Sequence, residues 1–404
     1  MEIKEINRPH LILNFDINKT IILRDKSKKL DVENGVKAAI VDYAWGKYDD
    51  SKKKCSLSEN YLSLKRPNPD LINYSNFMKK IYPNKREKEI PDKDERYKKN
   101  QELKKMREEN FLQFLNKGQP GEKLHSKYLE ILEKVKIPQK IMEEIITDNS
   151  KYPSFYKDLY LNGYIFIFLS LFRLMIELKN KNRIFVLIFR TFGYDFDDVI
   201  KEFNSFCEGR HYKFNGEEEK YPKKYFDGTH NSKDYRIKEN NIGIIYRFDE
   251  NIENCYLVLG TLKRINLEKS SDLYSFYEKQ IEEGKVKIIK GGKNIFEYIT
   301  INSNNGTINS FCINDDYDTW YKYDKKSLYG KPMFINPENK DFEVFFFDDN
   351  IEKSETSIVD CRNVITGETI KSKEFTNKYF VIVDTLKAAE DEYYFLNKIE
   401  EAEK

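Results

Sequence analysis

The chain has 404 residues, room for two or three domains of ordinary size. Lys and Arg number 70 against 68 Asp and Glu, a formal net charge of +2, which excludes a bulk electrostatic case for nucleic acid or a membrane surface. Hydrophobic residues make up 39% and aromatics 14%, enough for a sizeable core and too much for intrinsic disorder to be the whole answer.

In chain order, the first apolar run is residues 11–15 (LILNF), followed at once by Asp16. It is far too short for the apolar core of a secretory signal and reads as a strand. Residues 26–157 are mostly helical in pattern. Their charged stretch, 79–110, mixes Lys and Arg with Glu and Asp throughout, so it reads as a solvated helical face rather than a polyanion patch. Residues 158–180 read as one long helix. The uncharged run 164–172 inside it falls short of the roughly 20 residues a spanning helix needs, so a buried helix is expected. Residues 184–189 (IFVLIF) read as the second strand. An amphipathic helix is predicted over 195–206, with Phe196, Val199, Ile200, Phe203 and Phe206 on one stripe. Between 209 and 324 strands dominate. The runs 241–248 and 255–259 flank a polar stretch and read as a hairpin. Gly291-Gly292-Lys293 lacks the spacing of a phosphate-binding P-loop, so a second hairpin turn between 285–289 and 295–301 is expected there. Two more apolar runs, 344–347 and 379–383, follow. All four principal runs are near-continuous rather than alternating, the pattern of parallel strands buried on both faces. With helices between them they imply an α/β fold with a Rossmann-like parallel sheet.

The five Cys (55, 207, 255, 312 and 361) are odd in number and form no CxxC pair. A disulfide framework is not expected, and with no leader in view the cytoplasm is the default compartment. Four scattered His give no zinc spacing. No GxGxxG follows a strand and no GxSxG elbow occurs, which argues against a dinucleotide enzyme and a Ser hydrolase.

Four motifs carry chemistry. Asp16 sits at the end of the first strand, where α/β sheets place ligands. Thr191, with Gly193 just beyond, ends the second strand and offers a hydroxyl to an anion. Lys331, in Gly330-Lys331-Pro332, supplies a compact positive charge. Asp348 and Asp349 end the third run, and adjacent carboxylates of this kind suit Mg²⁺. Taken singly, each has an ordinary explanation as a helix cap or a turn residue. A further acidic pair, Asp315-Asp316, precedes Lys331; an exposed loop is the reading preferred over a contribution to the site.

In this order the four resemble the motifs of the haloacid dehalogenase-like superfamily. The resemblance covers about residues 9–25, 158–208 and 325–384. It implies a core made of 1–25, 158–208 and 325–404, with a mostly helical cap insertion at 26–157 and a second, strand-rich insertion at 209–324. It also implies a Mg²⁺-dependent phosphohydrolase or phosphotransferase acting on a small phosphorylated molecule, with no nucleic acid and no membrane involved. Asp16 would be the nucleophile and form an aspartyl-phosphate. Thr191 and Lys331 would hold phosphoryl oxygens. Mg²⁺ would be bound by Asp16, the backbone carbonyl of Asn18 and the Asp348/Asp349 pair. The chain departs from the pattern at Asn18, where family phosphatases carry an acid–base Asp. A carboxamide neither gives nor takes a proton at neutral pH. The departure implies either attenuated turnover or the alternative of a catalytically degenerate member that binds a phosphorylated ligand or a protein partner.

Overall fold

A computed structural model describes residues 8–49, 51–58, 61–214, 225–265, 267, 269–351, 358–370 and 379–404. The first apolar run forms β1 (His10–Asp16), with Leu11, Leu13 and Phe15 fully buried. The described residues of 26–157 include the α-helices Val32–Tyr43, Tyr74–Ile81, Lys93–Gln113, His125–Lys134 and Gln139–Thr147. A small antiparallel sheet accompanies them, made of β2 (Trp45–Asp49), β3 (Lys54–Leu57) and β4 (Ile72–Asn73). The helix Lys93–Gln113 buries none of its residues, as its interspersed charges require.

The remaining strands are β5 (Phe185–Thr191), β6 (Ile242–Arg247), β7 (Cys255–Leu259), β8 (Lys287–Lys290), β9 (Ser310–Asn314), β10 (Lys331–Ile335), β11 (Phe342–Asp348), β12 (Val359–Asn363) and β13 (Phe380–Ile382). Eight strands make one central sheet in the order β13-β11-β1-β5-β9-β6-β7-β8. Its pairings are parallel except for β7, which runs antiparallel to β6 and β8. The protein is thus mixed α/β with a mostly parallel central sheet. The hairpin expected around residues 249–254 is β6–β7, and among the described residues the four strands between 209 and 324 extend the same sheet. Strands β10 and β12 pair separately. From β1 the chain goes to β5 on one side, and β11 returns on the other. That reversal leaves a crevice at the carboxyl ends of the strands, where open α/β sheets bind ligands.

Three expectations need correction. Residues 158–180 are not one helix. A short turn, Tyr156–Leu159, is followed by extended chain, and the helix runs only from Leu169 to Asn180. Gly163 has φ +74°, and the Phe168 and Ile167 amides go to the Ile21 carbonyl and Glu202 Oε2 instead of to a preceding turn. The Gly291-Gly292 pair is not a hairpin turn. Gly291, at φ +88°, turns the chain from β8 into the helix Gly292–Asn305. A Cβ on Gly292 would lie 2.5 Å from the Phe334 ring, so close packing demands glycine there. Asp315 and Asp316 are buried rather than exposed, at 1% and 8% accessibility.

Aromatic packing sets the height of the strand ends. Phe15 stacks on Phe347 at 4.5 Å, and Phe395, from the helix Tyr394–Ala402, meets Phe15 edge-on at 5.1 Å. These two strand residues directly precede Asp16 and Asp348, so the stack fixes where both carboxylates emerge.

One buried titratable group sets an acid limit on stability. His211 lies fully buried against Phe172 and Phe214, facing Glu202 across 3.4 Å. Burial lowers its pKa, and the partly opposing pull of Glu202 does not cancel this. The fold therefore holds the imidazole neutral, while the unfolded chain protonates it near pH 6.5. Its contribution is complete above that pH and is lost as pH falls toward the folded value. The expected slope is up to about 1.4 kcal/mol per pH unit. His211→Gln should flatten this limb in urea melts taken between about pH 7 and pH 5. An unchanged limb would assign it to other groups.

Candidate active site

The β1–β11 register pairs Phe15 with Phe347, so Asp16 and Asp348 leave neighbouring parallel strands side by side. On the other flank Asp16 pairs with Arg190, which puts Thr191 one step beyond it on β5. Lys331 opens β10 and reaches across both acids. Its Nζ donates to Asp16 Oδ1 and, at 2.7 Å, to Asp348 Oδ2. Carboxylate oxygens of Asp16, Asp348 and Asp349 all lie within 4.8 Å of one another. Asp348, Lys331 and Thr191 are 0%, 1% and 1% accessible, and Asp16 only 6%. Asp349 is half-buried at the turn, where its Oδ1 accepts from Asn350 Nδ2 at 2.7 Å.

Three carboxylates so close together in a dry site repel one another. Burial, aided by Asp348, pushes the Asp16 carboxyl well above the usual range against the pull of Lys331. The same causes raise Asp349 to about 7. Burial opposes the charge of Lys331, but Asp16 and Asp348 override it and raise the ammonium pKa. Three carboxylates against one ammonium leave a formal charge of −2, which a divalent cation would balance. The donors are all hard oxygens, the set that Mg²⁺ prefers. The residues present therefore fit the ion that the sequence implies.

Lys19, beside this cluster, adopts a left-handed backbone at φ +61°. Two backbone bonds hold it there, its N–H to the Ile22 carbonyl at 2.8 Å and its C=O from Thr385 Oγ1 at 2.6 Å. Its ammonium pairs with Asp42 at 2.7 Å, tying the helix Val32–Tyr43 to the site.

Asn18 is placed by two acceptors. Its Nδ2 donates to Asp195 Oδ2 at 2.9 Å and to the Arg24 carbonyl at 3.2 Å. Both amide hydrogens are then committed, which turns Oδ1 toward Thr191 Oγ1, 3.5 Å away. Thr191 Oγ1 itself accepts the Gly193 amide at 2.8 Å. A Cβ on Gly193 would fall 3.2 Å from both oxygens, so the small residue keeps this recess open. Asp195 has no accessible surface, and its Oδ1 accepts the Lys26 amide at 3.1 Å. Burial raises its pKa against the hydrogen bond from Asn18.

The structure therefore brings Asp16, Lys331, Asp348 and Asp349 into one cluster and sets Asn18 beside Thr191. Three further side chains take part, none of them in the four motifs. Asp195 reads in sequence only as a helix start. Thr20 Oγ1 lies 3.5 Å from Asp16 Oδ2. Buried Asp315 binds Arg190 Nε at 3.0 Å, and Arg190 in turn donates to the Pro332 carbonyl at 3.0 Å, bracing the residue after Lys331. No protein family model, no curated protein and no solved structure matches the chain.

Proposed function

We propose that the chain is a Mg²⁺-dependent phosphohydrolase or phosphotransferase of haloacid dehalogenase-like type. Its core would be the central sheet, to which 209–324 adds β6 to β9, with 26–157 as an insertion that selects a small phosphorylated substrate. The observation that carries this reading is the bridging of Asp16 and Asp348 by Lys331 at the carboxyl ends of adjacent parallel strands, within 4.8 Å of Asp349.

In this reading an Asp16 oxygen attacks phosphorus in line, and the bond from phosphorus to the leaving oxygen breaks with its electron pair going to that oxygen. Water then attacks phosphorus, the bond to Asp16 breaks with its electron pair returning to the carboxylate, and the water's protons leave on the released phosphate. Lys331 retains a third N–H for a phosphoryl oxygen, and Thr191 supplies a hydroxyl to another. Asp16, Asp348, Asp349 and the Asn18 carbonyl would hold Mg²⁺, whose charge offsets that of the phosphoryl group. Asn18 can orient a water or a hydroxyl through Oδ1 but cannot exchange a proton with it.

The missing proton donor sets substrate preference. A leaving group that needs no proton, such as the carboxylate of an acyl phosphate, should depart faster than an alkoxide by about 10²–10⁴-fold. The test is phosphate release from a panel that includes acetyl phosphate and alkyl monoesters, with and without Mg²⁺. Equal rates on both classes would mean that leaving-group protonation does not limit turnover and would move the limit to the water step that both classes share.

A second reading, a degenerate member that only binds a phosphorylated ligand or a partner, draws on the commitment of both Asn18 amide hydrogens and the near-complete burial of the cluster. No release from any compound, together with retained Mg²⁺ binding, would select it.

A further inference from the structure

A separate cavity of about 210 Å³ opens at the opposite end of β5, lined by Phe185 at the strand's start and by Lys179, Arg183, Ser232 and Lys233. Six strand steps of about 3.3 Å place it roughly 20 Å from Thr191. It therefore belongs neither to the Asp16 cluster nor to the function proposed for it. Its volume is well over the ~10–15 Å³ that a single water occupies.

Its chemistry is lopsided. Three lining residues are cations and, among the described residues, none is a carboxylate. Arg183 is 8% accessible, and its Nη1 pairs with Glu403 at 2.7 Å while its Nη2 donates to the Pro9 carbonyl at 3.2 Å. Its buried Nε has no partner. The ammonium of Lys233 has no carboxylate within ion-pair reach among the described residues, and its hydrogen bond is to the Ser303 carbonyl at 3.4 Å. Burial lowers its pKa, the response of a cation whose charge is poorly compensated. Lys179 adds a third positive charge, its Nζ donating to the Tyr225 carbonyl at 2.6 Å. An orphaned guanidinium N–H and a poorly compensated ammonium on one recess are costly unless an anion completes them. A tetrahedral dianion offers several strong acceptor oxygens and a charge matched to more than one cation, which a water cannot supply.

We infer that this cavity is a second anion site, built by Arg183, Lys233 and Lys179 to bind the phosphate group of a small ligand. The probe is inorganic phosphate, and the readout is the acetylation rate of Lys233 in the full, unsubstituted chain, followed peptide by peptide by mass spectrometry. Phosphate should slow acetylation of Lys233 several-fold and saturably, while acetate at equal ionic strength should not. Because the reporter is local, phosphate held at the Asp16 cluster cannot imitate this result. An unchanged Lys233 rate, or equal protection by acetate, would overturn the inference whether or not the protein hydrolyses phosphate esters.

Discussion

Asp16→Asn is expected to abolish Mg²⁺-dependent phosphate release, by about 10⁶-fold, the scale on which covalent nucleophiles are lost. The substitution is isosteric, and the amide oxygen still accepts from Lys331, so the strand ends keep their packing around the Phe15–Phe347 stack. What disappears is the attacking anion, together with one of the three charges that would hold the metal. The raised pKa of Asp16 fixes the sign of the stability effect. A carboxyl whose folded pKa lies above its unfolded value costs stability once pH exceeds the unfolded value. In the absence of Mg²⁺ the variant should therefore melt no lower than the parent at neutral pH, although it is inactive. That pairing is the mark of a site strained for function. Release that persists in Asp16→Asn would mean a contaminant or a different site, and the aspartyl-phosphate would have to be abandoned.

The sheet was legible because parallel strands buried on both faces leave near-continuous apolar runs, and β1, β5, β11 and β13 each appear as one. The ends of β1 and β11 are legible because the polar residue that stops each run, Asp16 or Asp348, is also the residue that faces the crevice; on β5 Arg190 stops the run and Thr191 follows it. Lys331 has no such marker, and only its order along the chain drew attention to it. The helix at 158–180 was over-extended because an apolar run such as residues 164–168 has no period that separates buried helix from buried extended chain. The bonding of Asp315 and Asp195 is illegible for a different reason. Their partners, Arg190 and Asn18, lie 125 and 177 residues away, so nothing local marks either carboxylate as buried and bonded.

The contact between Asn18 and Asp195 gives Asn18→Asp a sharper outcome than restored acid–base chemistry alone. The new carboxylate would face Asp195 Oδ2 at a separation close to the present 2.9 Å. Two carboxylates at that distance cannot both ionise, so the pair would share a proton and titrate as a unit with one strongly raised apparent pKa. Asp195 already lies above its usual range through burial, which favours retention of that proton at neutral pH. The variant should then have a general acid beside Thr191. Turnover of alkyl monoesters should rise by up to about 10²–10⁴-fold while acyl phosphates change little, so the ratio between the two classes should collapse. Adding Asp195→Asn breaks the pair and replaces the repelling carboxylate with an amide that donates to the new one. Its pKa should drop, and the basic limb of the pH–rate profile should move to lower pH. If alkyl turnover stays flat in the single variant and the profile does not move in the double one, the amide at position 18 is not what limits the chemistry. The near-complete burial of the Asp16 cluster would then become the barrier to examine.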